Sequence, residues 1–221
     1  MKVILFGSTG MIGQGALRAC LEDPSVEAVL APVRAPTGQS DPKLTEIVVP
    51  DFLDLSAFAT PFAGYDTCLF CLGTSSAGMS EAQYRHVTHA ITLCAATLLA
   101  RLNPNMSFVY VSAAGTDSSE SSRIMWARVR GGTENALMRL PFRAVYAVRP
   151  GVIRPLHGIR SRTPWIDRLY GVLGPVLPAL QRRLPAYITD TEQLARAMLA
   201  LARSGSRSRI VEHRDLATLA A

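Results

Sequence analysis

The 221-residue sequence predicts an α/β protein built on a doubly wound parallel sheet, with a small C-terminal helical lobe. Three observations lead there. A short apolar run, Lys2-Val-Ile-Leu-Phe6, opens directly into a glycine-rich turn, Gly7 to Gly13, and then into Ala16, Leu17, Cys20 and Leu21 at helical spacing. Further short apolar runs alternate with helical stretches along the chain. These runs are continuously apolar rather than alternating, the mark of strands buried on both faces.

Taken in order, Lys2–Phe6 reads as the first strand and the stretch after Gly13 as the first helix. Val26–Ala31 reads as the second strand, ending at Pro32-Val-Arg34. A loop follows over Ala35–Lys43, where Pro36, Gly38, Asp41 and Pro42 are turn formers. Glu46–Val49 is the third strand, with Pro50-Asp51-Phe52 after it and a short helix over Leu53–Phe58. Thr67–Cys71 is the fourth strand and stops at Gly73-Thr-Ser-Ser76. A long helix is expected over Ser80–Arg101, with Val87, Ile91, Cys94, Leu98 and Leu102 as its apolar face. Ser107–Val111 is the fifth strand, followed by Ser112-Ala-Ala-Gly115, a polar loop to Ser122 and a helix over Arg123–Met138. Ala144–Val148 is the sixth strand and stops at Arg149-Pro150-Gly151. Residues 1–221 form one domain, in which 152–221 make the lobe from two or three helices and a short strand, Arg209–Glu212. In doubly wound sheets the ligand lies across the carboxyl ends of the strands. The patches at Gly7, Arg34, Asp51, Gly73, Ser112 and Pro150 are therefore expected to line one cleft.

Composition narrows the function. Hydrophobic residues make up 48% and charged residues 18%, and the net charge of +6 comes almost wholly from scattered arginines, lysine occurring only at positions 2 and 43. Zinc-finger spacing, aromatic RNA-binding motifs and long basic tracts are missing from the sequence, so no nucleic acid is expected as a partner. Leu169–Leu180 is too short to span a bilayer and is broken by Gly171, Gly174, Pro175 and Pro178, so no membrane is expected either. The first strand begins at residue 2, which leaves no room for a targeting peptide, and a cytoplasmic protein is expected. Cys68 and Cys71 form a C-x-x-C on a strand, where side chains three apart face opposite ways and do not bridge. With Cys20 and Cys94 they read as small core residues. His86 and His89 lack a third neighbouring ligand, so no metal is expected.

The opening turn carries the chemistry. Gly7 allows a chain reversal at positive φ, Gly10 lets the backbone approach a pyrophosphate, and Gly13 lets the helix pack on the strand. The helix that begins here offers unpaired N–H groups and a positive dipole end to a phosphate. Gly7, Ser8, Thr9, Gly10, Met11, Ile12 and Gly13 are thus the dinucleotide-binding turn. A dinucleotide site that prefers NAD has an acid about 20 residues past the glycines to hold the ribose 2′-OH. Val33 and Arg34 stand there instead, and an arginine fork suits a 2′-phosphate, so NADP is favoured with NAD as the alternative. Asp51 and Phe52 are placed to border an adenine, and Asp51 is also placed to cap the short helix after it.

With Gly7-x-x-Gly10-x-x-Gly13, Asp51-Phe52, Cys71-Leu-Gly-Thr74, Val111-Ser112, Arg149-Pro-Gly151 and Tyr187-Ile-Thr-Asp190 in this order, the chain resembles the short-chain dehydrogenase/reductase superfamily. Within it the atypical and extended branches are nearest, and the chain is similar to the Tat-interacting oxidoreductase group. The resemblance implies a Rossmann fold and a cofactor site that includes Leu72, Gly73, Thr74, Pro150 and Gly151. It also implies a small-molecule substrate and a homodimer through the long helix and the one after it. The superfamily transfers hydride with a Tyr-x-x-x-Lys on the helix after the fifth strand and a serine at that strand's end. Ser112 is present, but Trp126 stands for the tyrosine and Arg130 for the lysine. No tyrosine in the chain has lysine or arginine four residues on, so the motif is absent rather than displaced. An indole N–H donates a hydrogen bond but exchanges no proton near neutral pH. Arg130 keeps a permanent charge for a ribose or phosphate.

Three functions fit. The leading one is an NADP-binding protein without the usual proton donor that works as a sensor or regulator. The second is an oxidoreductase on a small carbonyl or flavin-like acceptor that needs no acid at that place. A sugar-nucleotide epimerase or dehydratase comes last, since about 70 residues are few for its substrate lobe. Tyr84, His86, His89 and Tyr187 are the other residues weighed for acid–base work, each with a packing role as the alternative. Gly131 and Gly132 sit inside a helix, where each costs about 1 kcal/mol relative to alanine, which points to close packing on a neighbour.

Overall fold

A computed structural model describes residues 1–159, 168, 177–183 and 187–220. Its centre is a seven-stranded sheet in the order β3-β2-β1-β4-β5-β6-β9. The strands are β1 (Lys2–Phe6), β2 (Ala28–Val33), β3 (Leu44–Val48), β4 (Thr67–Phe70), β5 (Ser107–Val111), β6 (Ala144–Arg149) and β9 (Ile210–Glu212). Every neighbouring pair in it is parallel. All strands therefore end on one edge, and the order reverses between β1 and β4, where such sheets open a crevice. The doubly wound fold expected from the sequence is the fold observed.

The sheet separates two cores. On one face Val3, Leu5, Val109 and Val148 pack with α1 (Met11–Glu22) and the C-terminal helix Thr191–Ser204. Facing the other side, Ile4, Phe6, Cys68, Phe70 and Phe108 pack with the helix Ile91–Leu102. Alternation along each strand sends neighbours to opposite faces, which is why these runs carry no polar side. Cys68 lies in the second core and Cys71 borders the first, so the pair faces apart across the sheet. All four cysteines are free, and burial pushes the Cys20 thiol up to about 12 and raises Cys68 as well.

Several boundaries differ from the sequence reading. β2 begins at Ala28 rather than Val26 and runs through Pro32 to Val33. Leu30 is its last residue paired to β1, so the missing N–H of Pro32 interrupts no bond on that side. β3 covers Leu44–Val48, and the expected helix over Leu53–Phe58 shrinks to a 3₁₀ turn, Ser56–Phe58. The long helix is three pieces: α2 (Glu81–Arg85), a π-type turn (His86–Ala90) and α3 (Ile91–Leu102). Its most buried stripe is Tyr84, Thr88, Thr92, Ala95 and Leu99, one position off the Val87–Leu102 stripe. Threonines escape an apolar-pattern search, yet Thr92 is buried with its hydroxyl donating to the Thr88 carbonyl at 2.6 Å.

α4 (Met125–Met138) starts two residues later than expected. Beyond β6, the chain adds a two-stranded parallel sheet, β7 (Val152–Arg154) with β8 (Ile188–Asp190), which the sequence reading did not anticipate. The lobe also contains α5 (Leu177–Arg183), α6 (Thr191–Ser204) and α7 (Leu216–Leu219). Most of Leu169–Leu180 lies outside the described residues. Among the described residues no helix is long and apolar enough to cross a membrane.

Candidate functional site

The β1–α1 turn is shaped by its bare positions. Gly7 sits at φ +78°, and a Cβ there would stand 2.6 Å from the Leu72 backbone nitrogen. A Cβ on Gly13 would stand 1.9 Å from the Gly7 carbonyl oxygen, so the helix reaches the turn only because that position is bare. Gly10 begins α1 with no side-chain cap and no acid in the first turn, which leaves the first N–H groups of the helix unclaimed. A Cβ on Gly10 would meet nothing closer than the Gly7 oxygen at 3.4 Å, so the space above it is open. Ser8 is buried, and its Oγ has no hydrogen-bond partner among the described residues. Buried hydroxyls are ordinarily satisfied, so this orphan fits a missing oxyanion. Met11 and Ile12 point the other way and pack on the first core.

Gly7, Thr9, Gly10, Val33, Arg34, Phe52, Leu72 and Gly73 line one cleft of about 120 Å³. Arg34 follows β2 directly and is exposed. Phe52 closes the wall and also belongs to the core, its ring edge-on to Phe6 at 6.0 Å. Asp51 departs from its expected role as a helix cap. Its carboxylate accepts the Leu53 N–H at 2.8 Å in a local turn, while Leu55 stands at the cap position of the 3₁₀ turn.

Across the switch point, β5 and α4 bring the second group together. Ser112 is buried, its Oγ 3.1 Å from Thr116 Oγ1, and Thr116 donates to the Ala113 carbonyl at 2.8 Å. Thr116 has one proton and has committed it, so Ser112 donates to Thr116. Trp126, in the first turn of α4, lays its indole against Gly115, where a Cβ would be 3.3 Å from the ring. Arg130 lies one turn further on. Its Nε donates to the Tyr84 hydroxyl at 2.8 Å and its Nη1 to the Val111 carbonyl at 3.3 Å. Nη2 lies 3.9 Å from where a Cβ on Gly73 would stand, so this side chain reaches from α4 to the cleft wall. Burial works against the Arg130 charge, but the neighbouring Tyr110 and Tyr84 hydroxyls outweigh it and its pKa is raised. Burial pushes Tyr110 up to about 12, with Arg130 pulling the other way.

Behind this group is a buried ion pair. Arg149 forks onto Glu134, with Nε to Oε1 at 3.0 Å and Nη2 to Oε2 at 2.6 Å, and also donates to Ser118 Oγ and Glu212. It ties β6 and β9 to α4 and to the loop after β5. Gly131 and Gly132 are explained by that same loop, not by another helix. A Cβ on Gly131 would stand 1.7 Å from the Asp117 carbonyl oxygen, and one on Gly132 would stand 3.0 Å from Glu120 Oε2.

Pro150 and Gly151 join the sheet to the lobe. Ala114 donates to the Pro150 carbonyl at 2.9 Å, and a Cβ on Gly151 would stand 2.5 Å from the Tyr187 carbonyl oxygen. Tyr187 is exposed and lies over the His213 ring at 5.1 Å. His86 is exposed, while His89 faces Thr133 on α4 at 3.2 Å, its pKa lowered by burial and by Arg85. Among the described residues no three His, Cys, Asp or Glu side chains cluster as metal ligands. The sequence reading missed Tyr84 as the partner of Arg130 and missed the Glu134–Arg149 pair. A glutamate one turn past Arg130 and an arginine at a strand end were visible, but only the fold puts them side by side.

No protein-family model matches the chain. It is 28% identical over 233 residues to protein FMP52, mitochondrial, of Eremothecium gossypii, covering 99% of this chain and 97% of that one. A short-chain dehydrogenase/reductase of Saccharomyces cerevisiae superposes with a TM-score of 0.71 at 13% identity, over 99% of this chain and 98% of that one. The Bordetella bronchiseptica enzyme WbmF in complex with NAD+ gives 0.66 at 15% identity, over 98% of this chain and 76% of that one. The fold is that of the short-chain dehydrogenase/reductase superfamily. The expectation of a cytoplasmic protein is corrected, because the FMP52 relatives are named as mitochondrial proteins. A strand beginning at residue 2 does not decide the compartment.

Proposed function

We propose that this chain binds a nicotinamide dinucleotide, NADP in preference to NAD, and acts as an oxidoreductase on a small carbonyl or flavin-like acceptor. The observation that carries the reading is the β1–α1 cradle, an uncapped helix start over open glycine backbone with the Ser8 hydroxyl buried and unpartnered beside it. Backbone N–H groups of this turn hold the pyrophosphate. Arg34 would hold the 2′-phosphate, and Phe52 walls the cleft. The bound cofactor supplies a hydride. Arg130 directs a fixed positive charge toward the far half of the dinucleotide, past Gly73. Trp126 orients the acceptor by its indole N–H and moves no proton. With no protein acid at Trp126, the proton that completes reduction would be drawn from water. Neighbours of this fold that are named with a bound dinucleotide support a dinucleotide site, WbmF with NAD+ and MoeE5 with UDP-glucose and NAD among them.

A sensor or regulatory role is the second reading. The Trp126 position and the Ser112 hydroxyl turned onto Thr116 favour it, since both withhold the usual proton path.

Calorimetric titration with NADPH and NADH tests the binding. NADPH is expected to bind at least about tenfold tighter, the worth of hydrogen bonds to a charged group. Arg34→Ala is expected to erase that preference and leave NADH affinity unchanged. A protein indifferent to both nucleotides sinks the reading. Consumption of NADPH across a carbonyl and quinone panel then separates the two roles, and no turnover at all leaves the sensor.

A further inference from the structure

We propose that Tyr84 is the positioning residue for Arg130, holding its guanidinium so that the Nη2 edge faces the nucleotide cleft at Gly73. The proposal rests on the dinucleotide-binding reading above. Tyr84 is 1% exposed and belongs to a different helix from Arg130. The 2.8 Å bond from Nε to its hydroxyl holds one corner of the guanidinium plane, and the Val111 carbonyl holds a second. A guanidinium is rigid and planar, so fixing two of its nitrogens aims the third. A lysine here would act as a point charge and need no such backing.

The local structure is arranged to keep Tyr84 there. Ser80 and Gln83 form a capping box that starts α2 one turn before Tyr84. The π-type turn His86–Ala90 follows at once, and Tyr84 and Thr88 are both buried on the side that meets α4. Single π-type turns inside helices occur frequently at functional sites. Tyr110 on β5 borders the same guanidinium and is held as a neutral phenol by its burial. Two phenols and a carbonyl thus surround an arginine whose remaining nitrogen, Nη2, lies beside Gly73 in the cleft wall.

The test is NADPH titration of four proteins: unmodified, Tyr84→Phe, Arg130→Ala and the double variant, each with its melting temperature. Tyr84→Phe is expected to weaken NADPH binding about tenfold, the size of one hydrogen bond to a charged group. On the Arg130→Ala background the same change is expected to move affinity less than about twofold, because the hydroxyl acts only through Arg130. A merely structural role would lower the melting temperature and leave no such dependence. Unchanged affinity in Tyr84→Phe, or an equal loss on both backgrounds, overturns the proposal. Arg130→Lys keeps the charge and loses the fork, so it reports even where Tyr84→Phe fails to fold. It is expected to bind more weakly than the unmodified protein, and binding at unmodified strength overturns the proposal. If the unmodified protein binds neither nucleotide, the reading beneath falls and takes this proposal with it.

Discussion

The β1–α1 turn and the β5–α4 group face the same crevice but are made in different ways. The first is local: three glycines within seven residues, Gly7 at positive φ, Gly13 bare because the Gly7 carbonyl occupies the place of a side chain, and Gly10 with open space above it. The second is assembled across the chain. Ser112 engages Thr116 on its own loop, Arg130 reaches back to Tyr84 on α2, and Glu134 meets Arg149 on β6. In the first region the residue types already state the chemistry. In the second, the residue types depart from the superfamily pattern, and the contacts show what the departures are held by. On the proposed reading, binding and proton transfer are therefore separable here, with the parts for one present and the usual parts for the other replaced.

The largest effect that bears on this contrast is a gain. Trp126→Tyr is expected to raise carbonyl reduction by about 10²–10⁴, the usual worth of a placed acid. Arg130 one turn away would favour the phenolate by its charge. No gain, measured as NADPH oxidation at saturating nucleotide, would mean that the second region lacks more than a phenol.

Next come the two crowded glycines. Gly13→Ala and Gly131→Ala each place a Cβ under 2 Å from a carbonyl oxygen, 1.9 Å and 1.7 Å respectively. Each is expected to cost about 1–3 kcal/mol or more in urea unfolding. Only Gly13→Ala is expected to abolish nucleotide binding in the protein that remains folded. Equal loss of binding in both would tie the regions together and break the contrast.

The smallest effect is on acidity. Asp117 accepts N–H bonds from Ser119, Ser121 and Ser122 and a hydroxyl bond from Ser119, and these hold its pKa below the ordinary carboxylate value. A lowered pKa means that the loop's support is present above about pH 3.9 and is lost as pH falls through the folded value below that. Protection factors of the Ser121 and Ser122 amides are expected to fall in that window. In Asp117→Ala they are expected to be low at every pH.

The strands and the glycine turn were legible because their signals are short-range. Continuous β-branched and apolar runs bounded by Gly, Pro or Ser need no knowledge of the rest of the chain. The helix over Ser80–Arg101 was legible as a helix but not in its burial, because its deepest stripe contains Thr88 and Thr92 and its turn geometry changes at His86. The β7–β8 pair was not legible, since each strand is three residues long and its partner is distant in sequence. Asp51 looked like a cap by residue type, and its carboxylate instead closes a two-residue turn onto Leu53.

What the sequence determined by itself is the order of strands and helices, the glycine turn that opens into α1, and the presence of Trp126 and Arg130 where the superfamily resemblance implies a tyrosine and a lysine. These are properties of residue type and spacing. Only the tertiary structure decided that Gly131 yields its place to the Asp117 backbone, that Glu134 buries its charge against Arg149, and that Arg130 rests on Tyr84. Those pairings join residues far apart in the chain, and nothing in either residue's own neighbourhood specifies the other until the sheet has brought the helices side by side.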